Sequence, residues 1–197
     1  MNPSITPTLL FVPGLRDHVE DHWQTLCAAQ QPGSRTVPPL EADKLSSAAR
    51  VEALQTALQQ IDGPVVLAAH SAGVMIVVHW VRKYGGTRPI HGALLAAPAD
   101  LERPLPEGYP ALEAIAASGW LPIPRDPLPF PSILAASTND PLGSLERVEG
   151  MARDWGSRLV NVGAVGHLNP AAGFGEWPQA AEFLRALCEA PASVAAS

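Results

Sequence analysis

Short apolar runs, each closed by turn residues, alternate down this chain with longer stretches of helical period. Thr8–Val12 stops at Pro13-Gly14, and helical segments read over Asp21–Gln30 and Ser46–Ile61 flank a weak strand at Ser34–Val37. In the second helix Val51, Leu54, Leu58 and Ile61 mark one face. Pro64–His70 reads as a central strand, Ala72–Tyr84 as a helix, and Ile90–Ala96 and Ser132–Ser137 as two more buried strands. Leu145–Trp155 (helix), Arg158–Val162 (strand) and Trp177–Cys188 (helix) complete the series. Apolar strands separated by helices imply a mostly parallel sheet of about five or six strands with helices on both faces. With no repeat and no linker, residues 1–188 read as one α/β domain, followed by a frayed tail at 189–197.

One segment breaks the rhythm. Pro98–Pro131 holds nine Pro and two Gly in 34 residues, out of 21 Pro and 16 Gly in the whole chain of 197. Most connections in compact domains run about 4–6 residues, so a segment this long reads as a flap-like insertion over a pocket. The absence of a Gly-X-Y period excludes collagen, and 47% apolar residues exclude a disordered chain.

Charge narrows the partners. The net charge is −6 and no basic run occurs, which argues against nucleic acid. The most apolar stretch, Ala72–Val81, carries His79 and is too short to span a bilayer. Met1–Ser4 lacks the basic start of a secretory leader. Cys27 and Cys188 have no local spacing that would suggest a disulfide framework or a metal knuckle. The expectation is a soluble cytoplasmic protein with reduced thiols.

The chemistry centres on Ala69-His70-Ser71-Ala72-Gly73. A serine between small residues at −2 and +2, at a strand-to-helix turn, is the nucleophile elbow of the α/β-hydrolases. Its strained backbone lifts the hydroxyl clear of the sheet, and large side chains two positions away would collide. Ala69 stands where Gly is usual. The competing reading is a serine that only caps the following helix.

A serine hydroxyl needs a base, and the base needs an orienting acid. In this topology the acid and then the histidine follow later strands. Asp140 follows Ser132–Ser137, and His167 follows Arg158–Val162 as the sole histidine beyond Asp140. Asp140 before Pro141 also resembles a helix cap, with Asp100, just past Ile90–Ala96, as the reserve acid. The backbone N–H of Ala72, with that of Leu15 or Arg16, is the candidate oxyanion pair. His70 reads as a structural residue or pocket wall, and His79 and His91 as packed or surface residues.

His18 and His22, four residues apart, raise a zinc alternative. Glu20 is misplaced for the zincin pattern and no third ligand is evident, so a polar loop leading into a helix is the plainer reading.

Together, Val12-Pro13-Gly14, His22-Trp23, His70-Ser71-Ala72-Gly73, Asp140-Pro141, Gly166-His167-Leu168-Asn169 and Gly173–Pro178 resemble the small serine hydrolases of the retinoblastoma-binding protein 9 family, over roughly Leu9–Leu187. The resemblance implies a single-domain minimal α/β-hydrolase, a Ser71–His167–Asp140 triad, esterase-like activity and no metal at His22-Trp23.

The resulting expectation is a cofactor-independent hydrolase of a small-molecule acyl ester, acting through an acyl-enzyme. Leu101, Leu112, Trp120 and Leu121 from the Pro-rich segment, with Phe174, Trp177 and His70, are the candidate pocket residues. The rivals are an amidase or peptidase with the same triad, and a protein-binding module that kept the fold.

Overall fold

The computed structural model describes residues 6–85 and 87–191. Six strands, β1 (Thr8–Val12), β2 (Arg35–Thr36), β3 (Val65–His70), β4 (Gly92–Ala96), β5 (Ser132–Ala136) and β6 (Arg158–Asn161), form one sheet. Six helices connect or close it: α1 (Trp23–Gln30), α2 (Ser47–Gln59), α3 (Ala72–Tyr84), α4 (Leu112–Ala117), α5 (Leu145–Trp155) and α6 (Pro178–Glu189). Strand order is β2-β1-β3-β4-β5-β6, and every pairing is parallel.

The order reverses between β1 and β3. Chains leaving those strands diverge to opposite faces, which opens a crevice at their C-terminal ends. The pleat sends alternate residues to two cores. Leu10, Val12, Leu67, Leu95 and Leu134 join the core with α2, α3 and α5, while Phe11, Val66, Leu94 and Ile133 join the core with α1 and α6. All six residues of β3 are buried, as a central strand covered on both faces requires.

Helix α3 begins directly after β3 although Val74, Ile76, Val77 and Val78 favour strand by propensity. All four are buried, so packing outweighs the small per-residue preference. Helix α1 starts at Trp23, two residues later than Asp21, because His22 is its cap: His22 Nδ1 accepts from the Gln24 N–H at 3.2 Å. The buried Gln24 amide then donates to Val12 O (3.2 Å) and Ala68 O (2.9 Å), tying α1 to β1 and β3.

The Pro-rich segment divides. Its second half folds down over the α2/α3/α5 face, with α4 within it and Ile115, Trp120, Ile123 and Phe130 buried. Trp120 Nε1 donates to Leu45 O (2.7 Å) and Trp155 Nε1 to Pro124 O (2.9 Å), pinning that half to the body. Of the expected tail, Glu189 is still in α6, and residues 192–197 and the first five lie outside the described residues. No described helix is long and apolar enough to cross a membrane.

Candidate active site

Ser71 follows β3 with φ 58° and ψ −127°, a conformation that costs a non-glycine residue about 1–3 kcal/mol. Its N–H still donates to Ala96 O at 3.0 Å, so the strand holds it up to the turn. Its hydroxyl makes no capping bond to α3, which removes the cap reading. Gly73 is obligatory here: a Cβ would lie 2.1 Å from Val12 O. At Gly14 a Cβ would come within 3.2 Å of Ser71 Cβ and 3.5 Å of its hydroxyl oxygen. Ala69 is fully buried in β3 and its methyl is part of the core, so the departure from Gly is accommodated.

His167 bridges Ser71 and Asp140. Its Nε2 lies 2.8 Å from Ser71 Oγ, and its Nδ1 lies 2.9 and 2.8 Å from the Asp140 oxygens. With Nδ1–H donating to the carboxylate, Nε2 presents its lone pair to the hydroxyl. Asp140 also accepts from the Leu142 N–H at 2.8 Å. The His167 loop is clamped to the exit of β5: Asn139 Oδ1 accepts from the Gly166 N–H (2.7 Å) and Ser137 Oγ from the Val165 N–H (3.3 Å). Asn139 carries no sequence signal for this role, since its partner lies 27 residues on.

Behind His167 stand two more rings. His70 Nε2–H donates to the His167 carbonyl at 2.8 Å, and its ring centroid lies 4.8 Å from that of His167 and 4.5 Å from that of His22. Burial, then the neighbouring His167, pushes the His22 pKa down to about 4. The same causes hold His70 well below the ordinary histidine range. Both are therefore neutral near pH 7 and set no competing charge beside the imidazole.

Asp100 is engaged elsewhere. Arg147 Nε donates to it at 2.7 Å, a second guanidinium nitrogen reaches it at 3.2 Å, and the pair extends through Glu102 to Arg125 and Asp154. Among the described residues, the backbone N–H groups of Ala72 and Leu15 donate to no protein acceptor. The carbonyl that follows the latter, Leu15 O, accepts from the buried Arg50 at 3.2 Å, and the same guanidinium donates to the Asp17 carboxylate, tying this loop to α2. No group of three His, Cys, Asp or Glu that could hold a metal occurs among the described residues.

A family model described as serine hydrolase matches residues 9–186. The chain belongs to the serine hydrolase family. A structure described as a YdeN-like hydrolase of Pectobacterium atrosepticum is similar at 34% identity, with 92% of each chain covered and a TM-score of 0.75. The ydeN gene product of B. subtilis (16% identity, 92% and 98% covered, TM-score 0.70) shares the fold. So does a thermophilic esterase from Thermogutta terrifontis (19%, 92% of each, TM-score 0.58). Among curated proteins no sequence match is found.

In this serine hydrolase Ser71 opens into a cavity of about 540 Å³ at the crevice between β1 and β3. Its walls come from the β1–α1 loop (Leu15, Arg16, Val19) and the first half of the Pro-rich segment (Leu101, Leu105, Tyr109), with His70 and His167 behind. Leu101 and His70 lie where the sequence suggested. Trp120, Phe174 and Trp177 do not line it. Trp120 is in the α2/α3/α5 core, while Trp177 packs edge-on against Trp23 at 5.0 Å and Phe174 packs beside the same α1/α6 core. Leu121 likewise packs against the first core. Loop aromatics follow no period that separates wall from core, so the sequence neither singles out Tyr109 nor distinguishes Trp120, Phe174 and Trp177 from wall residues.

Proposed function

We propose that this serine hydrolase cleaves a small acyl ester through an acyl-enzyme. His167 Nε2 takes the Ser71 proton as Oγ attacks the acyl carbonyl, and Asp140 holds the tautomer and balances the imidazolium. The Ala72 and Leu15 N–H groups receive the oxyanion, each donor in such a hole being worth about 10²–10³ in turnover. The C–O bond to the leaving group then breaks and the departing oxygen takes the proton from His167. Water, deprotonated by the same nitrogen, attacks the acyl carbon, and as the bond from that carbon to Ser71 Oγ breaks, His167 returns the proton to Oγ. Every proton in this scheme is handled by His167 and every developing charge by Asp140 or backbone amides.

The observation that carries the reading is the unbroken 2.8–2.9 Å chain from Ser71 to Asp140, with the serine in its strained turn at the cavity wall. The Gly166–Asn169 and Gly173–Pro178 motifs support placing the chain with the retinoblastoma-binding protein 9 branch. The two free cysteines fit a reducing, cytoplasmic compartment.

A fluorophosphonate probe with a 4-nitrophenyl acetate assay tests the activity. Wild type labels and turns over, and Ser71→Ala does neither while keeping its fold by circular dichroism. Equal labelling of both proteins would sink the proposal. Matched ester and anilide substrates separate esterase from amidase.

A further inference from the structure

The cavity beside Ser71 is mostly apolar, and the exceptions are informative. Of its lining residues only Arg16 and Asp17 carry a fixed charge, among the described residues. Asp17 is neutralised from behind the loop: its carboxylate faces the guanidinium of Arg50, and both side chains are largely buried. The fixed charge left to the cavity is Arg16. Its guanidinium lies over the Tyr109 ring, 5.2 Å from the centroid, and makes no hydrogen bond or ion pair among the described residues. Stacking on an aromatic face orients the planar group and leaves its N–H edges available.

An exposed guanidinium seated over an aromatic ring, with its donors unclaimed, suits a bidentate carboxylate. In a chain of net charge −6 it is the local exception, placed one residue from the Leu15 amide that the proposed mechanism aims at the oxyanion. The two walls that supply Arg16 and Tyr109 line the same cavity as Ser71.

Building on the ester-hydrolase reading, we propose that the preferred substrates are esters carrying a carboxylate away from the scissile bond, with Arg16 as the specificity-determining cation and Tyr109 as its platform. The apolar wall of Leu101, Leu105 and Val19 receives the intervening methylenes. A dicarboxylic acid esterified at one end has this chemistry.

The test compares the mono-4-nitrophenyl ester of adipic acid with the matched ester whose free carboxylate is replaced by a primary amide, each corrected for spontaneous hydrolysis. Wild type is expected to favour the carboxylate ester in kcat/KM by about tenfold, the scale of a hydrogen-bonded charged group at a partly open site. Added salt narrows the ratio. Arg16→Gln brings the ratio close to one, and Arg16→Lys, which keeps the charge and loses the fork, falls between. A wild-type ratio of one or below, or a preference that survives in Arg16→Gln, overturns the assignment while leaving the hydrolase intact. If wild type cleaves neither ester above Ser71→Ala, the hydrolase reading itself fails and the specificity falls with it.

Discussion

The loops that leave β4 and β5 are neighbours, and each delivers a buried aspartate to the same edge of the sheet. Asp100, after β4, meets the Arg147 guanidinium, and Asp140, after β5, meets the His167 imidazole. Their side chains are almost equally hidden, 4% and 2% exposed. The difference is the partner. A guanidinium stays charged throughout the accessible pH range, so its aspartate is locked into a static ion pair. An imidazole can take up and release a proton, so the same carboxylate beside it can respond to a proton arriving or leaving. Burial alone does not make a carboxylate chemical; what it faces does.

The largest effect that would break this contrast is on Asp140. Asp140→Asn leaves the shape and loses the charge that holds His167 in its tautomer. Turnover of 4-nitrophenyl acetate should fall about 10³–10⁴-fold with the melting temperature nearly unchanged. A loss of stability with activity intact would return Asp140 to the role of a turn cap.

Asp100→Asn should do the reverse. It removes a buried anion from Arg147, which keeps Glu102, and destabilises by about 2–3 kcal/mol in urea titrations. Turnover should stay within about threefold. A collapse in turnover without loss of stability would reinstate Asp100 as the working acid.

A smaller effect sharpens the contrast through pH. His22 and His70 are neutral in the folded protein, whereas the unfolded chain protonates them below the ordinary value of 6.5. Between 6.5 and about 4 the unfolded state binds more protons than the native state, so stability falls as pH falls through that window. The His22 contribution reaches about 1–2 kcal/mol by pH 5. His22→Asn, which retains a cap for α1, should flatten part of that slope in melts at pH 7.5 and 5. An unchanged slope would mean that the histidine cluster is not what gives way in acid.

Much of this was legible in the residues. The strand and helix rhythm predicts the parallel sheet because buried parallel strands have to be apolar along their length. Ser71 stood out because the turn restricts its neighbours to small residues, and chain order then pointed to Asp140 and His167. What was not legible depends on distant partners. Nothing near Asp100 indicates that Arg147, 47 residues on, will occupy it. Nothing near Trp120 indicates that its indole will reach Leu45 across 75 residues. The short α4 offers too few turns to show a period, and the β1–α1 loop looked like a possible zinc site because the guanidinium that organises it comes from α2.

The missing clearance at Gly73 bears on how this protein can diversify. Helix α3 sits so close to the end of β1 that not even a methyl group fits between them. Ser71, the proposed nucleophile, and the loop after β1 are therefore packed against each other, and neither can be resculpted without the other. The loop at 104–110 lines the same cavity with exposed or half-buried residues, and at Gly108 a Cβ would meet nothing within 4 Å. Variation among descendants, or in a directed-evolution library, should therefore be tolerated there first, with the chemistry inherited unchanged and the substrate range open to revision.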